Sequence, residues 1–268
     1  MTRLGMACLN GELGFNANQR DDQREGLKWL KRAAETADTQ YNSAPYELGL
    51  LHETGYGEDI FKDESYTAQL FTTSAELGHA EANYRLGDAY EHGKLNCPRD
   101  PALSIHFYNG AASAGHAIAM MALCAWYMVG AEPILAKDEN EAYEWAKRAA
   151  LLGMSLSTRD FKMVISADRS LLEYPKAEFT VGYFTEMGIG CRRDPLEANV
   201  WYVRAADHGY ERATLRIAAI RAAASGGAPD PVPEKSSRKA TKRDNKFVTP
   251  TGPPAEEEKG KGKRWGIF

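Results

Sequence analysis

The sequence predicts an all-α chain, an α-solenoid of stacked antiparallel helix pairs about five units long, with a disordered C-terminal tail. Three observations predict it. The first is self-similarity at a fixed period, the mark of repeat architectures: the anchors Leu48, Leu86 and Leu123 stand 38 and 37 residues apart. The second is composition, because Leu, Ala and Tyr are frequent and β-branched runs are almost absent, which favours helix over strand. The third is a break at Ser225, beyond which Pro, Gly, Ser, Lys and Glu dominate and nothing can pack a core.

Each unit joins two frames, and together they make a solenoid over residues 1–222. The first unit, about 3–37, opens on L-G-M-A and continues with D-Q-R-E-G-L-K-W-L-K-R-A-A from Asp22 to Ala34. The second, 44–79, has L-G-L-L-H and then D-E-S-Y-T-A-Q-L-F-T-T-S-A-E-L-G from Asp63 to Gly78. The third, 80–116, has L-G-D-A-Y and D-P-A-L-S-I-H-F-Y-N-G-A-A-S-A-G, ending at Gly115. The fourth, 117–153, has L-C-A-W-Y and D-E-N-E-A-Y-E-W-A-K-R-A-A-L-L-G. The fifth, 174–210, has V-G-Y-F-T and D-P-L-E-A-N-V-W-Y-V-R-A-A-D-H-G.

The first frame predicts a helix with apolar and small residues on one stripe, as in Ala82, Leu86, Ala89 and Tyr90. The glycine beside the leucine lets a partner helix approach closely. The second frame begins at an Asp that can cap free N–H groups, with Pro101 and Pro195 at the first helical position. Asp138 with Glu141, and Asp22 with Glu25, have capping-box spacing. The Ala-Ala pair predicts tight helix packing, and the glycine after it a left-handed C-terminal stop. One such pair cannot bury its apolar face alone, so neighbours must stack.

Several residues look chemical and read better as structure. Gly188 and Gly190 resemble a phosphate cradle, but no Lys-Ser/Thr follows at the helix start, so they are expected to turn the chain between helices. His79, His116 and His208 recur beside the inter-unit glycines, which predicts packing or capping. Cys97 and Cys191 occupy matching loop sites and are expected as free thiols, and the four cysteines form no C-x-x-C. No nucleophile–base–acid set is evident, so no catalytic, cofactor-binding or metal site is expected, and no enzyme. No apolar run approaches the ~20 residues of a membrane span. The start, M-T-R-L-G-M-A-C, has no secretory h-region, and no Asn-x-Ser/Thr occurs, so a reduced, cytoplasmic protein is expected. Residues 229–268 carry a net charge of +4 and residues 1–228 a net of −8, and an acidic body argues against nucleic acid as partner.

At this period, L-G-x-x-Y-x-x-G, D-x-x-x-A and W-Y-x-x-A-A-x-x-G resemble the Sel-like repeat family, relatives of tetratricopeptide repeats, over about residues 3–218. More narrowly, Tyr174 to Gly209, with the downstream R-I-A-A-I-R-A-A-A-S-G-G and the final K-R-W-G-I-F, is similar to fungal chitin synthase activators. That resemblance implies a non-catalytic adaptor that binds a chitin synthase catalytic subunit and raises or localises its activity at the plasma membrane or septum. The alternative is a generic repeat adaptor in signalling or protein quality control. Some relatives end in a prenylation box, whereas this sequence ends W-G-I-F. Lys259, Lys261, Lys263 and Arg264 beside Trp265 and Phe268 are the candidates for weak contact with an anionic membrane; a solvated tail over 223–268 is the favoured reading.

Two further departures from the frame stand out. From the Ala-Ala pair to the next anchor is 11 residues twice, Ala75 to Leu86 and Ala112 to Leu123, but 31 from Ala150 to Val181. The excess, 154–173, reads as an extra element on one edge of the solenoid or as a translated intron, the latter favoured because Gly153-Met154-Ser155 can encode a fungal donor site. Met1 also stands only two residues from its anchor pair, so further repeats are expected upstream.

Partner specificity is expected on the face of the first helices. Around the anchors, the positions off the apolar stripe are Glu47, Glu53, Arg85, Asp88, Glu91, Tyr183 and Glu186. They predict a mixed but mostly acidic groove suited to a basic or amphipathic segment, with Tyr183 as the aromatic anchor. Tyr90, Trp126, Tyr127, Trp145 and Trp201 are expected in the core.

Overall fold

The structure, a computed structural model, describes residues 1–17, 19–153 and 173–224. The insertion reading falls on residues 154–172, outside the described residues, and Glu173 opens a helix. The tail from Ser225, with Lys259, Lys261, Lys263, Arg264, Trp265 and Phe268, also lies outside them. The described residues form eleven helices and two isolated bridges, Tyr56–Ile60 and Ala131–Leu135. The helices are α1 (Thr2–Asn10), α2 (Arg20–Glu35), α3 (Ser43–Thr54), α4 (Glu64–Glu76), α5 (Ala80–His92) and α6 (Pro101–Ser113). They continue with α7 (Ala117–Val129), α8 (Glu139–Gly153), α9 (Glu173–Met187), α10 (Pro195–Asp207) and α11 (Glu211–Ala224).

Odd-numbered helices come from the first frame and even-numbered ones from the second. From α3 to α9, each first helix packs on the second helix of its own pair and on the second helix of the pair before. The first helices α5, α7 and α9 also touch one another in sequence. The anchors Leu48, Leu86, Leu123 and Val181 are at most 2% exposed, so each sits in the seam between helices. The alanine pairs do the same from the other side: Ala111, Ala112, Ala149 and Ala150 are all buried.

The glycine beside the anchor fixes how closely a pair approaches. A Cβ on Gly87 would lie 2.5 Å from the ring of Tyr108, and one on Gly49 2.6 Å from Phe71. Gly182 faces the ring of Tyr202 at 2.9 Å in the same way. The fourth pair exchanges the two sizes, with Cys124 at the glycine's place and Ala146 at the aromatic's, both buried in one cluster. Large against none, or medium against small, fills the same gap at native density. Hydroxyls add a bond across it: Thr67 Oγ1 donates to the Gly49 carbonyl at 3.3 Å and Ser104 Oγ to that of Gly87 at 3.0 Å.

The capping aspartates work as expected at four of five sites. Asp63 accepts from the Tyr66 N–H, and Asp100, Asp138 and Asp194 each accept from two N–H groups of the first turn, at 2.9–3.2 Å. Each also ties its pair together. The backbone N–H of Asp63, Asp100, Asp138 and Asp194 donates to the carbonyl four residues after the anchor, on His52, Tyr90, Tyr127 and Thr185. Because that N–H is already taken by Tyr127, Glu141 does not return the capping-box bond to Asp138.

Asp22 corrects the expectation at the fifth site. The helix begins three residues earlier, with Gln19 as its N-cap, and Asp22 instead accepts from the Asn16 N–H at 2.9 Å. The reason is length: 18 residues separate Leu4 from Asp22, against 13–15 in the other units, so Asp22 cannot reach the same place. The left-handed stops stand as expected at Gly78, Gly115 and Gly209, with φ of 87°, 85° and 89°. One element starts within the solenoid's 1–222 bounds but past its five units. The helix α11 repeats the first-helix frame, with Ile217 at the anchor position, and covers α10.

Two outcomes follow from this packing. Gly87→Ala is expected to lower stability by about 1–3 kcal/mol through overpacking against Tyr108. In thermal melts followed by circular dichroism, the double variant with Tyr108→Ala should lose less than the sum of the two single changes. Asp100→Ala, which removes two capping bonds, should cost about 1 kcal/mol in urea titration; an unchanged midpoint would show that the cap contributes nothing.

Candidate protein-docking face

On each first helix, the residues one before, two after and five after the anchor lie three apart and share a face. In α3 they are Glu47, Leu50 and Glu53; in α5, Arg85, Asp88 and Glu91; in α7, Ala122, Ala125 and Met128. In α9 they are Thr180, Tyr183 and Glu186, and in α11, Arg216, Ala219 and Ala222. All seven candidate residues from the sequence therefore fall on this one face, and they fall there as sets from successive helices.

Their charges are less free than the sequence suggests. Glu53 is closed by Arg85 of the next first helix, whose guanidinium also stands 5.7 Å from the centre of the Phe71 ring. Glu186 is closed by Arg216 of the next first helix, with Nε to Oε2 at 3.0 Å, and accepts from the Tyr202 hydroxyl at 2.6 Å. Burial alone would push the Glu186 carboxyl up. The bonds from Arg216 and Tyr202 outweigh it and hold that carboxyl below the usual range. The same geometry pushes the Tyr202 phenol up, first by burial and then by the adjacent carboxylate.

Glu91 stands at the same repeat position and accepts from the Tyr108 hydroxyl at 2.6 Å. Its counterpart arginine is missing, because α7 places Ala122 there. Phe71 explains the complementary case: it holds the place of Tyr108 and Tyr202 but has no hydroxyl, so Glu53 has the arginine without the phenol. Asp88 is shared between Lys94 at 2.6 Å and His92 at 3.1 Å. Glu47 is half-buried, and desolvation raises its carboxyl. Tyr183 is 42% exposed, the large aromatic of this face. Two glutamates of the groove, Glu53 and Glu186, are thus already neutralised by arginines. The arginine–glutamate pairing was legible only in part, because Arg216 lies on α11, beyond the five units read from the sequence.

The residues that resembled chemistry take structural places. Nδ1 of His79 and of His116 accepts from the N–H of Ala82 and Ala119 at 3.2 Å, which caps α5 and α7. His208 departs from that pattern. It precedes Gly209 rather than following it, and its Nδ1 meets the buried Glu178 carboxylate at 2.8 Å. Gly188 and Gly190 carry φ of 77° and 63° in the turn between α9 and α10. Cys97 and Cys191 are free thiols, both pushed up by burial. Among the described residues no cluster of three His, Cys, Asp or Glu side chains has the geometry for a metal ion. No described helix is long and apolar enough to cross a membrane. Trp126 and Trp201 are buried in the core, with Tyr90, Tyr127 and Trp145 partly buried against it. Arg32, Arg148 and Arg204 lie over Trp29, Trp145 and Trp201 at 4.7–5.6 Å, all in one register of the second helices.

Known proteins share this arrangement. A family model for the Sel1 repeat matches residues 1–36, 43–79, 80–116, 117–154 and 175–210. "Chitin synthase regulator SKT5" of Malassezia restricta is 44% identical over 211 residues, covering 79% of this chain and 13% of that protein. The protein of the same name in Saccharomyces cerevisiae is 38% identical over 217 residues, covering 81% of this chain and 28% of its own length. This chain therefore spans a small part of both. Among solved structures, a Sel1 repeat protein from Oxalobacter formigenes superposes with a TM-score of 0.60 at 24% identity, over 85% of this chain and 76% of that one, which speaks to fold alone. With the helix pairs, their glycine seams and five matched repeats in place, the chain belongs to the Sel1 repeat family.

Proposed function

We propose that the chain is a non-catalytic scaffold that binds a chitin synthase catalytic subunit and activates or localises it in fungal cell-wall synthesis. The observation that carries this is the likeness to two proteins named chitin synthase regulators, over 79% and 81% of the chain. The first-helix face supports it physically. It offers exposed tyrosine, carboxylates and apolar side chains on rigid helices, as a docking surface requires. His79 and His116 serve as helix caps and Cys8 and Cys124 are buried in the helix seams, places that suit a scaffold. The proposed location is the cytoplasm, peripheral at the plasma membrane or septum, reached through the catalytic subunit.

A second reading has its own support. "Activator of C kinase protein 1" of Saccharomyces cerevisiae is 30% identical over 227 residues, covering 80% of this chain, which fits an adaptor in signalling. Affinity capture separates the two. Tagged protein should enrich the chitin synthase catalytic subunit, and a deletion strain should deposit less cell-wall chitin. Failure of enrichment together with normal chitin would favour the signalling adaptor. Removal of residues 229–268 should leave the protein at septa. Dispersal of the truncated protein would instead assign anchoring to the tail.

A further inference from the structure

The Glu–Arg rungs of the first-helix face have a gap on both sides of α7, where Glu91 lacks its arginine and Met128 stands at the glutamate's position, and the gap coincides with a change in surface chemistry. Glu53 and Glu186 are each closed by the arginine of the next first helix, whereas for Glu91 the arginine's repeat position is held by Ala122. The helix that carries Ala122 is A-I-A-M-M-A-L-C-A-W-Y-M-V, without a single charged residue. Its Met121, Ala122 and Met128 are only partly buried against the core and Ala125 is half-buried, so they leave an apolar patch on this face. Glu91 on α5 flanks that patch on one side and Tyr183 on α9 on the other; α5, α7 and α9 touch in that order.

We infer that this gap is where a partner's chain docks: an extended segment with an apolar centre between two basic residues crosses α5, α7 and α9. The inference rests on the scaffold reading above and names the chemistry of the partner. Glu91 supplies the charge. Its carboxylate holds a phenol but, among the described residues, no cation, so a basic side chain gains a charge-assisted bond without breaking a rung. Methionines supply the seat, because an unbranched, polarisable side chain adapts to what it covers. Tyr183 supplies a ring face for the second cation. Spacing then follows from geometry. Packed helices lie about 8–10 Å apart, so α5 to α9 is about 16–20 Å. An extended chain advances about 3.3 Å per residue, which puts the two basic residues about six apart, with the apolar ones between them on the same side.

The test uses three fluorescein-labelled peptides on the full chain: Arg-Ala-Leu-Ala-Leu-Ala-Arg, the same with both arginines as glutamate, and the same with both leucines as serine. The first should bind more tightly than the other two by about tenfold or more in fluorescence anisotropy. Ala122→Arg supplies the missing rung. It should melt no lower than wild type, since it copies Arg85 against Glu53, yet weaken the first peptide by about tenfold. Glu91→Gln keeps an acceptor for Tyr108 and should abolish the preference for arginine over glutamate. Equal binding of the three peptides, no binding of the first, or full binding by a folded Ala122→Arg variant would each overturn the inference. Capture of the catalytic subunit separates this from the scaffold reading. If Ala122→Arg still captures it, docking lies elsewhere while the scaffold stands. If wild type captures none, the scaffold reading fails and the peptide series still decides the inference.

Discussion

The close approach of two helices at the glycine beside each anchor sets the terms for the rest of the structure. With no Cβ at Gly49, Gly87 and Gly182, the aromatic ring of the second helix lies directly on the backbone of the first. That contact brings the second helix near enough for Thr67 and Ser104 to bond the glycine carbonyls and for the capping aspartates to bond the carbonyls four residues past the anchor. A pair bound in this way has a fixed crossing, and repetition of the crossing lines up the first helices.

The same contact shapes the docking face. The ring that fills the glycine's space is Tyr108 in the third pair and Tyr202 in the fifth, and both hydroxyls emerge beside the glutamate five residues after the anchor. A packing residue thereby orients a surface carboxylate. Where the ring is Phe71, that orientation is lost and Arg85 supplies the constraint instead. In the fourth pair neither ring nor carboxylate is present, and the face turns apolar. Core composition and surface chemistry are linked in these repeats because the ring that packs on the glycine of the first helix ends beside the glutamate of that same helix.

Much of the fold was legible in single residues. The period, the helix frames, the stops at Gly78, Gly115 and Gly209, and the caps at Asp63, Asp100, Asp138 and Asp194 rest on local backbone chemistry that a short stretch displays. Asp22 misled because a cap is recognised by residue type, while its place depends on the length of the loop that delivers it. His208 packs where His79 and His116 cap, since it sits beside a glycine as they do but on the other side, where it meets Glu178. The helix α11 starts within the 1–222 solenoid but outside its five units because it lacks the L-G pair and a following second frame.

The sequence by itself determined which helices form and which residues share the first-helix face, because helical period and repeat period are properties of order along the chain. Only the tertiary structure decided which of those charges are available to a partner. Glu53 and Arg85 are 32 residues apart, Glu186 and Arg216 are 30, and each pair meets across a helix boundary that no local pattern encodes. A carboxylate's worth to a ligand depends on who already holds it, and that is settled only when distant helices are brought side by side.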